Sequence, residues 1–451
     1  MGQRKNIELN IERLTDGPNH HLFGFHDLTI SNKDETKYLC LEVSTINRPP
    51  LPGEQFFVGY VENDSFVKVG TTKALNYPQG ARQQWVANTN LFTVNNRVGD
   101  VWGTDLYDST TNALLDRFEA TTHMLSKDGR YAFGLDYARL FRLGGYGYSG
   151  VADKGADNPF PSDTGITIMD MKTKDIRTLV SVKEVAEFGT KNISRQSHHY
   201  LTHLCLNPSS TRLAFLHRYF LPDGGMMTRL MTIGVDGRDL RCLGQGFLSH
   251  FDWKDDTHIY IYGRSGSTVD TLRNNPILAN PIFMKSLRLA KKFVKSIMGK
   301  GNGIVGGMSF MMIEDSESAS SYPFATAIIP SDGHPMTNPI KNSWCICDNY
   351  PDADGCRDLF LYSFDDDLRV DIGRFKRIFD SPDMTSMQEY FSGIDEKILK
   401  SISEKDLAFT RSGLHCDLHP RWSANGDWAV FDSIHEGSRQ IYRVNVSQIL
   451  E

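Results

Sequence analysis

Cysteine is scarce in this chain of 451 residues: there are seven, an odd number, scattered except for Cys345, Cys347 and Cys356. That excludes a framework of paired disulfides and fits free thiols in a reducing compartment. No apolar run approaches the length of a membrane span, and the opening residues MGQRKNIELNIERLTDG lack the apolar stretch of a secretion signal. A cytoplasmic protein without a transmembrane segment is therefore expected. Position 6 is Asn where a myristoylation signal on Gly2 needs Ser or Thr. Positive charge is not in excess either, since the formal net charge is -6, and a general nucleic-acid binder is excluded on that balance. HExxH, GxSxG and Walker motifs do not occur, which leaves most hydrolase and nucleotide chemistries unsupported. Gly145, Gly147 and Gly150 do spell GxGxxG, but no βαβ unit surrounds them.

What the sequence has in quantity is one repeated pattern. The C-terminal stretch HPRWSANGDWAVFDSIHEGSRQIYRVNV reads as a short strand, a turn at Asn425 and Gly426, a strand from Trp428 to Asp432, and a third from Gln440 to Val446. The same order recurs in HMLSKDGRYAFGLDY, HLCLNPSSTRLAFLHRY, HFDWKDDTHIYIYG and HPMTNPIKNSWCICDNYPDADGCRDLFLYSF, which begin at His123, His203, His250 and His334. GFHDLTISNKDETKYLCLEV supplies a further copy with His26, and QQWVANTNLFTVNN another in which Gln83 and Gln84 replace the histidine. Small sheets repeated in this way bury their faces only against one another, so the expected fold is all-β, a seven-bladed β-propeller spanning residues 1–451. Residues 6 to 14 are expected to give the three-stranded last unit its fourth strand and close the ring.

Two insertions interrupt the repeat. Residues 276–301 place Ile282, Phe283, Leu287, Phe293 and Val294 at helical spacing, with Lys285, Arg288, Lys292 and Lys295 between them. This basic amphipathic helix is expected to pack on the propeller, with contact to a membrane or a polyanion as the alternative. Residues 380–412 read as a polar helical insertion between the last two blades.

A propeller brings the starts of its inner strands together, so the repeated histidines become neighbours at one end of the central channel. Neutral imidazoles and carboxylates hold divalent metals, and His334, His415 and His419 are the candidates, with Asp417 in phase with the two histidines around it. Zinc held by Cys347, Cys416 and a histidine is the rival, although the spacing matches no standard zinc module. Proton transfer is the other chemistry that suits the cluster. LAFLHRYF joins His217, Arg218 and Tyr219 at the end of a strand, and YLTHL puts His203 on the strand before it, so a base, a cation and a phenol come close. Tyr148, Tyr200 and Tyr219 compete for the phenol role, and Tyr146 and Tyr148 in the glycine-rich loop suit stacking on sugar rings.

FGFHD, LHRY, SHFDW, DGHP and CDLHPRWSANGDWAVFDS, spread over nearly the whole chain, resemble motifs of the seven-bladed propeller polysaccharide lyases, the oligogalacturonate lyase and ulvan lyase groups. The resemblance implies a divalent metal, manganese, calcium or zinc, on His334 and His419 with His415 or Asp417 beside them. The expected function is cleavage of a uronate-containing acidic oligosaccharide or polysaccharide by β-elimination. His203 or His123 is the expected base, Arg218 neutralises the carboxylate, and Tyr219 or Tyr148 is the acid. The alternatives are a propeller that binds a glycan or protein partner without catalysis, and a metal-dependent glycan hydrolase.

Overall fold

Short polar turns set the architecture. Asn63 and Asp64 both take positive φ, 49° and 58°, which gives the two-residue hairpin turn whose twist matches the flanking strands Phe56–Glu62 and Ser65–Thr72. Asn32 accepts the backbone N–H groups of Thr36 and Lys37 through its Oδ1, and Asn207 does the same for Thr211 and Arg212. Two copies of the repeat thus share one side-chain-built turn. The C-terminal copy turns where expected, with Gly426 at φ 73° and its N–H donating to Ser423 O.

The computed structural model describes residues 2–189, 197–221, 225–265, 307–378 and 380–451. Among them the strands form six sheets, in each of which consecutive strands pair antiparallel in sequence order. One four-stranded sheet runs from His20–Leu22 to Ser65–Thr72, a second from Gln84–Trp85 to Ala113–Phe118, and a third from Met124–Leu125 to Ile176–Ser181. The fourth has seven strands, from His199–Leu206 to Ser321–Pro323, and turns within Arg241–Trp253, where the register shifts between Leu248 and Phe251. Met336–Thr337 to Leu368–Lys376 form the fifth, and Arg421–Trp422 to Gln440–Asn445 the sixth.

The N-terminus joins the last two. Ile11–Arg13 pairs antiparallel with Gln440–Asn445, Ile11 opposite Val444, and makes a fourth strand for the sixth sheet. Gln3–Asn6, for which no pairing was expected, lies parallel to Leu368–Lys376 on the fifth sheet. One short segment therefore straps two sheets and covers an edge of each.

Tryptophan links successive copies of the repeat. Nε1 of Trp85 donates to Ile30 O, that of Trp253 to Cys205 O, and that of Trp422 to Met336 O, each carbonyl belonging to the copy before. Apolar packing accompanies these bonds, as where Trp344, Ile346 and Leu361 pack on Trp422, Phe431 and Tyr442.

Helices are few. Tyr137–Arg142 follows Tyr131–Gly134 and is capped by Asp136, whose side chain accepts from Arg139 N. Within the 380–412 insertion lie Gln388–Ser392, Glu396–Ser401 and Glu404–Arg411. They pack Tyr390, Phe391, Ile394, Ile398 and Leu407 against Phe141 of the first helix. The insertion expected at 276–301 falls outside the described residues. Among the described residues no helix is long and apolar enough to cross a membrane, and the cysteines are free thiols.

Candidate metal centre and active site

Five of the six repeated histidines gather around one ring, that of Phe25. Its centroid lies 4.2 Å from His26, 5.2 Å from His203, 5.1 Å from His419 and 6.4 Å from both His250 and His334. His334 is the hub, with its ring 4.3 Å from those of His250 and His419 and 5.6 Å from His26. His203 and His419 reach the centre from backbone at φ 56° and 42°, the left-handed region that non-glycine residues seldom occupy away from functional or tightly constrained positions.

His123 is not part of this group. It is wholly buried, its Nδ1 lies 2.8 Å from Tyr137 Oη, and its Nε2 is 3.8 Å from Asp27. The second sheet contributes Arg82 rather than Gln83 or Gln84. Arg82 stands three residues before Trp85 as His250 and His419 stand before Trp253 and Trp422, and it takes φ 53°. Its guanidinium holds both oxygens of Asp27, at 2.7 and 3.0 Å, and donates to His123 O. It closes this side of the centre with a buried ion pair.

His334, Asp417 and His419 bring one ligand atom each within 4.8 Å of one another. Asp348, at the end of strand Trp344–Asp348, builds this arrangement. Its Oδ1 accepts the backbone N–H of His334 at 2.8 Å and the imidazole Nδ1–H at 2.7 Å, while Oδ2 accepts the N–H groups of Leu418 and His419. His419 Nδ1 donates to Gly24 O at 3.0 Å. With both Nδ1 atoms committed as donors, both histidines present the Nε2 lone pair, the tautomer a metal takes. Arg357 occupies Asp417 Oδ1 through Nε and Nη2 at 3.0 and 2.8 Å, leaving Oδ2 facing His334 Nε2 at 3.9 Å and His415 Nδ1 at 3.6 Å. The donor set fits a divalent cation, and its second layer of hydrogen bonds is already in place.

Charge agrees with this geometry. Burial alone would pull His334 down, but Asp348, Asp417 and Asp332 outweigh it and hold its pKa above the ordinary value. Burial would raise Asp417, yet His415, Arg357, His334 and His419 hold it well below the carboxylate range. His419 is driven well below 6.5 by burial and by its neighbour His334, so it is neutral. The thiols of Cys347 and Cys416 lie outside the cluster, and burial pushes both upward, so they stay protonated. The described cluster does not include the cysteine ligands expected of a zinc site.

Beside the cluster, His250 Nδ1 is held by Asp332 Oδ1 at 3.0 Å, a carboxylate–imidazole pair that sequence reasoning passed over. Tyr350 lies beside His250 and His334, its ring 5.3 Å from His334 and 6.0 Å from His250. His203 is less open. Its Nδ1 lies 2.9 Å from Thr202 Oγ1 and its Nε2 3.4 Å from the Gln79 amide nitrogen, so both ring nitrogens are engaged. Arg218 lies near His203 and opposite Tyr200 on the neighbouring strand, and its charge acts on both. Tyr219 faces the opposite side of its strand and stacks on His199 at 4.8 Å. Tyr148 is wholly buried, accepts from Asn95 Nδ2 and stacks on Tyr137. The structure brings together His203, Arg218, His334, His415, Asp417 and His419, and it leaves His123, Tyr148 and Tyr219 outside.

No family model matches the sequence, and no curated protein matches it. Solved structures do. An oligogalacturonate lyase from Vibrio parahaemolyticus is 13% identical over 99% of both chains, with a TM-score of 0.57. The chain is similar in fold to that lyase. A second structure, an oligogalacturonate lyase in complex with manganese, is 11% identical over 100% of both chains at a TM-score of 0.42. The β-propeller domain of the Trilobed protease from Pyrococcus furiosus is 10% identical over 78% of each chain at 0.38. At these identities the likeness is one of fold, and the chemistry rests on the residues.

Proposed function

We propose that this chain is a propeller lyase that cleaves uronate-containing oligosaccharides by β-elimination. The ring has seven blades in this reading, the long strand Arg241–Trp253 serving two of them and Ile11–Arg13 completing the last. The observation that carries the function is the His334–Asp417–His419 cluster, set beside an Asp332-oriented His250 and an arginine, Arg218, that has no ion pair among the described residues.

Elimination next to a carboxylate needs three things: a base for the α-proton, positive charge for the developing enediolate, and a proton for the departing oxygen. His250 is the base, in preference to His203 and His123, because Asp332 fixes its Nδ1–H and no hydrogen bond among the described residues takes its Nε2. Arg218 receives the substrate carboxylate. A divalent cation, manganese being the one found with a similar fold, would be held by His334, Asp417 and His419 and would add positive charge at the same place. Tyr350 replaces Tyr148 and Tyr219 as the acid. Burial pushes its pKa upward, so the phenol keeps its proton until the leaving oxygen takes it.

The test is incubation of the metal-loaded chain with a panel of galacturonate, glucuronate and mixed uronate oligomers, followed by ultraviolet absorbance of the unsaturated product. Absorbance that depends on His250 supports elimination. No cleavage across the panel refutes it, and saturated products assign the site to hydrolysis instead.

A further inference from the structure

The helical insertion reaches the candidate site through the last turn of one helix. Helix Glu404–Arg411 ends at Arg411, a position where a cation also suits the helix dipole. Its guanidinium lies 4.5 Å over the ring of Tyr146, whose ring is in turn 5.8 Å from that of His203. Arg411 Nη2 donates to Gly144 O, so the helix and the glycine-rich loop hold each other. Two residues earlier, Phe409 packs edge-on against His415, 5.6 Å away, at the margin of the metal cluster. The insertion is anchored: Asp395 pairs with Arg142 at 3.2 Å, and Ile398 and Phe391 pack in one cluster with Phe141.

Arg411 is half-buried and has no carboxylate partner among the described residues, and its Nε and Nη1 make no hydrogen bond there. Arg218 likewise has no ion pair among them, and Tyr200 feels the charge of both arginines. Half-buried guanidinium groups without a counter-charge are costly to keep, and two of them beside Tyr200 and Tyr146 make an electropositive wall on one flank of the site. Planar, bidentate donors of this kind suit carboxylates, and the Tyr146 ring beneath Arg411 holds that guanidinium in place.

We propose that Arg411 is the anion-recognising residue of a second subsite, so that the chain selects oligosaccharides with acidic groups on adjacent sugars. Arg218 takes the carboxylate of the sugar that is cleaved and Arg411 that of its neighbour. The helical insertion, which plays no part in the metal cluster, thereby becomes a specificity element. This rests on the uronate reading above and names a substrate feature within it.

The test is isothermal titration of the manganese-loaded full chain with galacturonate, which has one carboxylate, and with the methyl glycoside of digalacturonate, which has two. The fast heat of binding is read apart from any slower heat of turnover. The wild type is expected to bind the disaccharide at least about tenfold more tightly, the advantage of one charge-assisted pair. Arg411→Gln should bring that ratio to about threefold or less while leaving galacturonate and manganese affinity unchanged, and Arg411→Lys should restore part of it. An unchanged ratio in Arg411→Gln overturns the subsite and leaves the lyase reading standing. No binding of either probe to the wild type overturns both.

Discussion

His334 donates its Nδ1–H to Asp348 Oδ1 at 2.7 Å, and the other oxygen of the same carboxylate accepts the backbone N–H of His419. One buried side chain on the fifth sheet thus fixes two candidate ligands, the second of them at the start of the sixth. Asp348→Asn would turn an acceptor into a donor in front of donors. Removing such an orienting partner weakens a metal by about 10- to 100-fold. The variant is expected to show that loss for manganese in a titration followed by electron paramagnetic resonance, while His334→Ala abolishes specific binding.

Manganese affinity should depend on pH through His334. Its carboxylate neighbours hold its pKa above 6.5, whereas His419 lies far below 6.5 and Asp417 far below the carboxylate range. In the acidic-to-neutral range the cation therefore displaces one proton, from His334. Affinity should fall by about tenfold per pH unit as pH drops below the raised His334 value, and level off above it. A Kd that does not change across this window contradicts the assignment.

Gly333 precedes His334, and a Cβ there would lie 1.8 Å from the backbone oxygen of Asp348. Neither main chain can retreat without disturbing the His334–Asp348 pair. Gly333→Ala is expected to cost about 3 kcal/mol or more in chemical denaturation, and to weaken manganese binding in whatever fraction still folds.

Trp253→Phe tests the links between copies of the repeat. The variant removes the Nε1–H that satisfies Cys205 O while keeping most of the apolar bulk. About 1–3 kcal/mol of stability should be lost, the cost of an unsatisfied buried acceptor. Circular dichroism melts check this, and manganese affinity should stay within about threefold, because Trp253 faces away from the candidate ligands into a cluster with Ile259 and Ile261.

Strand and turn order was legible in the sequence because Asn–Gly and Asn–Asp turns and apolar runs are local signals. His334, Asp417 and His419 were legible because ligand chemistry narrows the choice of residue types. Arg82 was missed because histidine was followed rather than tryptophan. The spacing of three residues to Trp85, Trp253 and Trp422 marks the equivalent position directly. Asp348 in WCICD reads only as the end of a strand, and its role depends on a neighbouring sheet some 70 residues on. Phe25 and Tyr350 are ordinary aromatics in sequence. Only their place among converging elements distinguishes them, as it separates Arg218, facing Tyr200, from Tyr219 on the other side of the same strand.

The most direct test of the account is the mass balance of cleavage. Uronate oligomers incubated with the manganese-loaded chain should give two products whose masses sum to that of the substrate, one carrying a double bond, and His250→Gln should lower the rate by at least about 100-fold. Products whose summed mass exceeds the substrate by one water, or a His250→Gln variant as fast as the wild type, would contradict it.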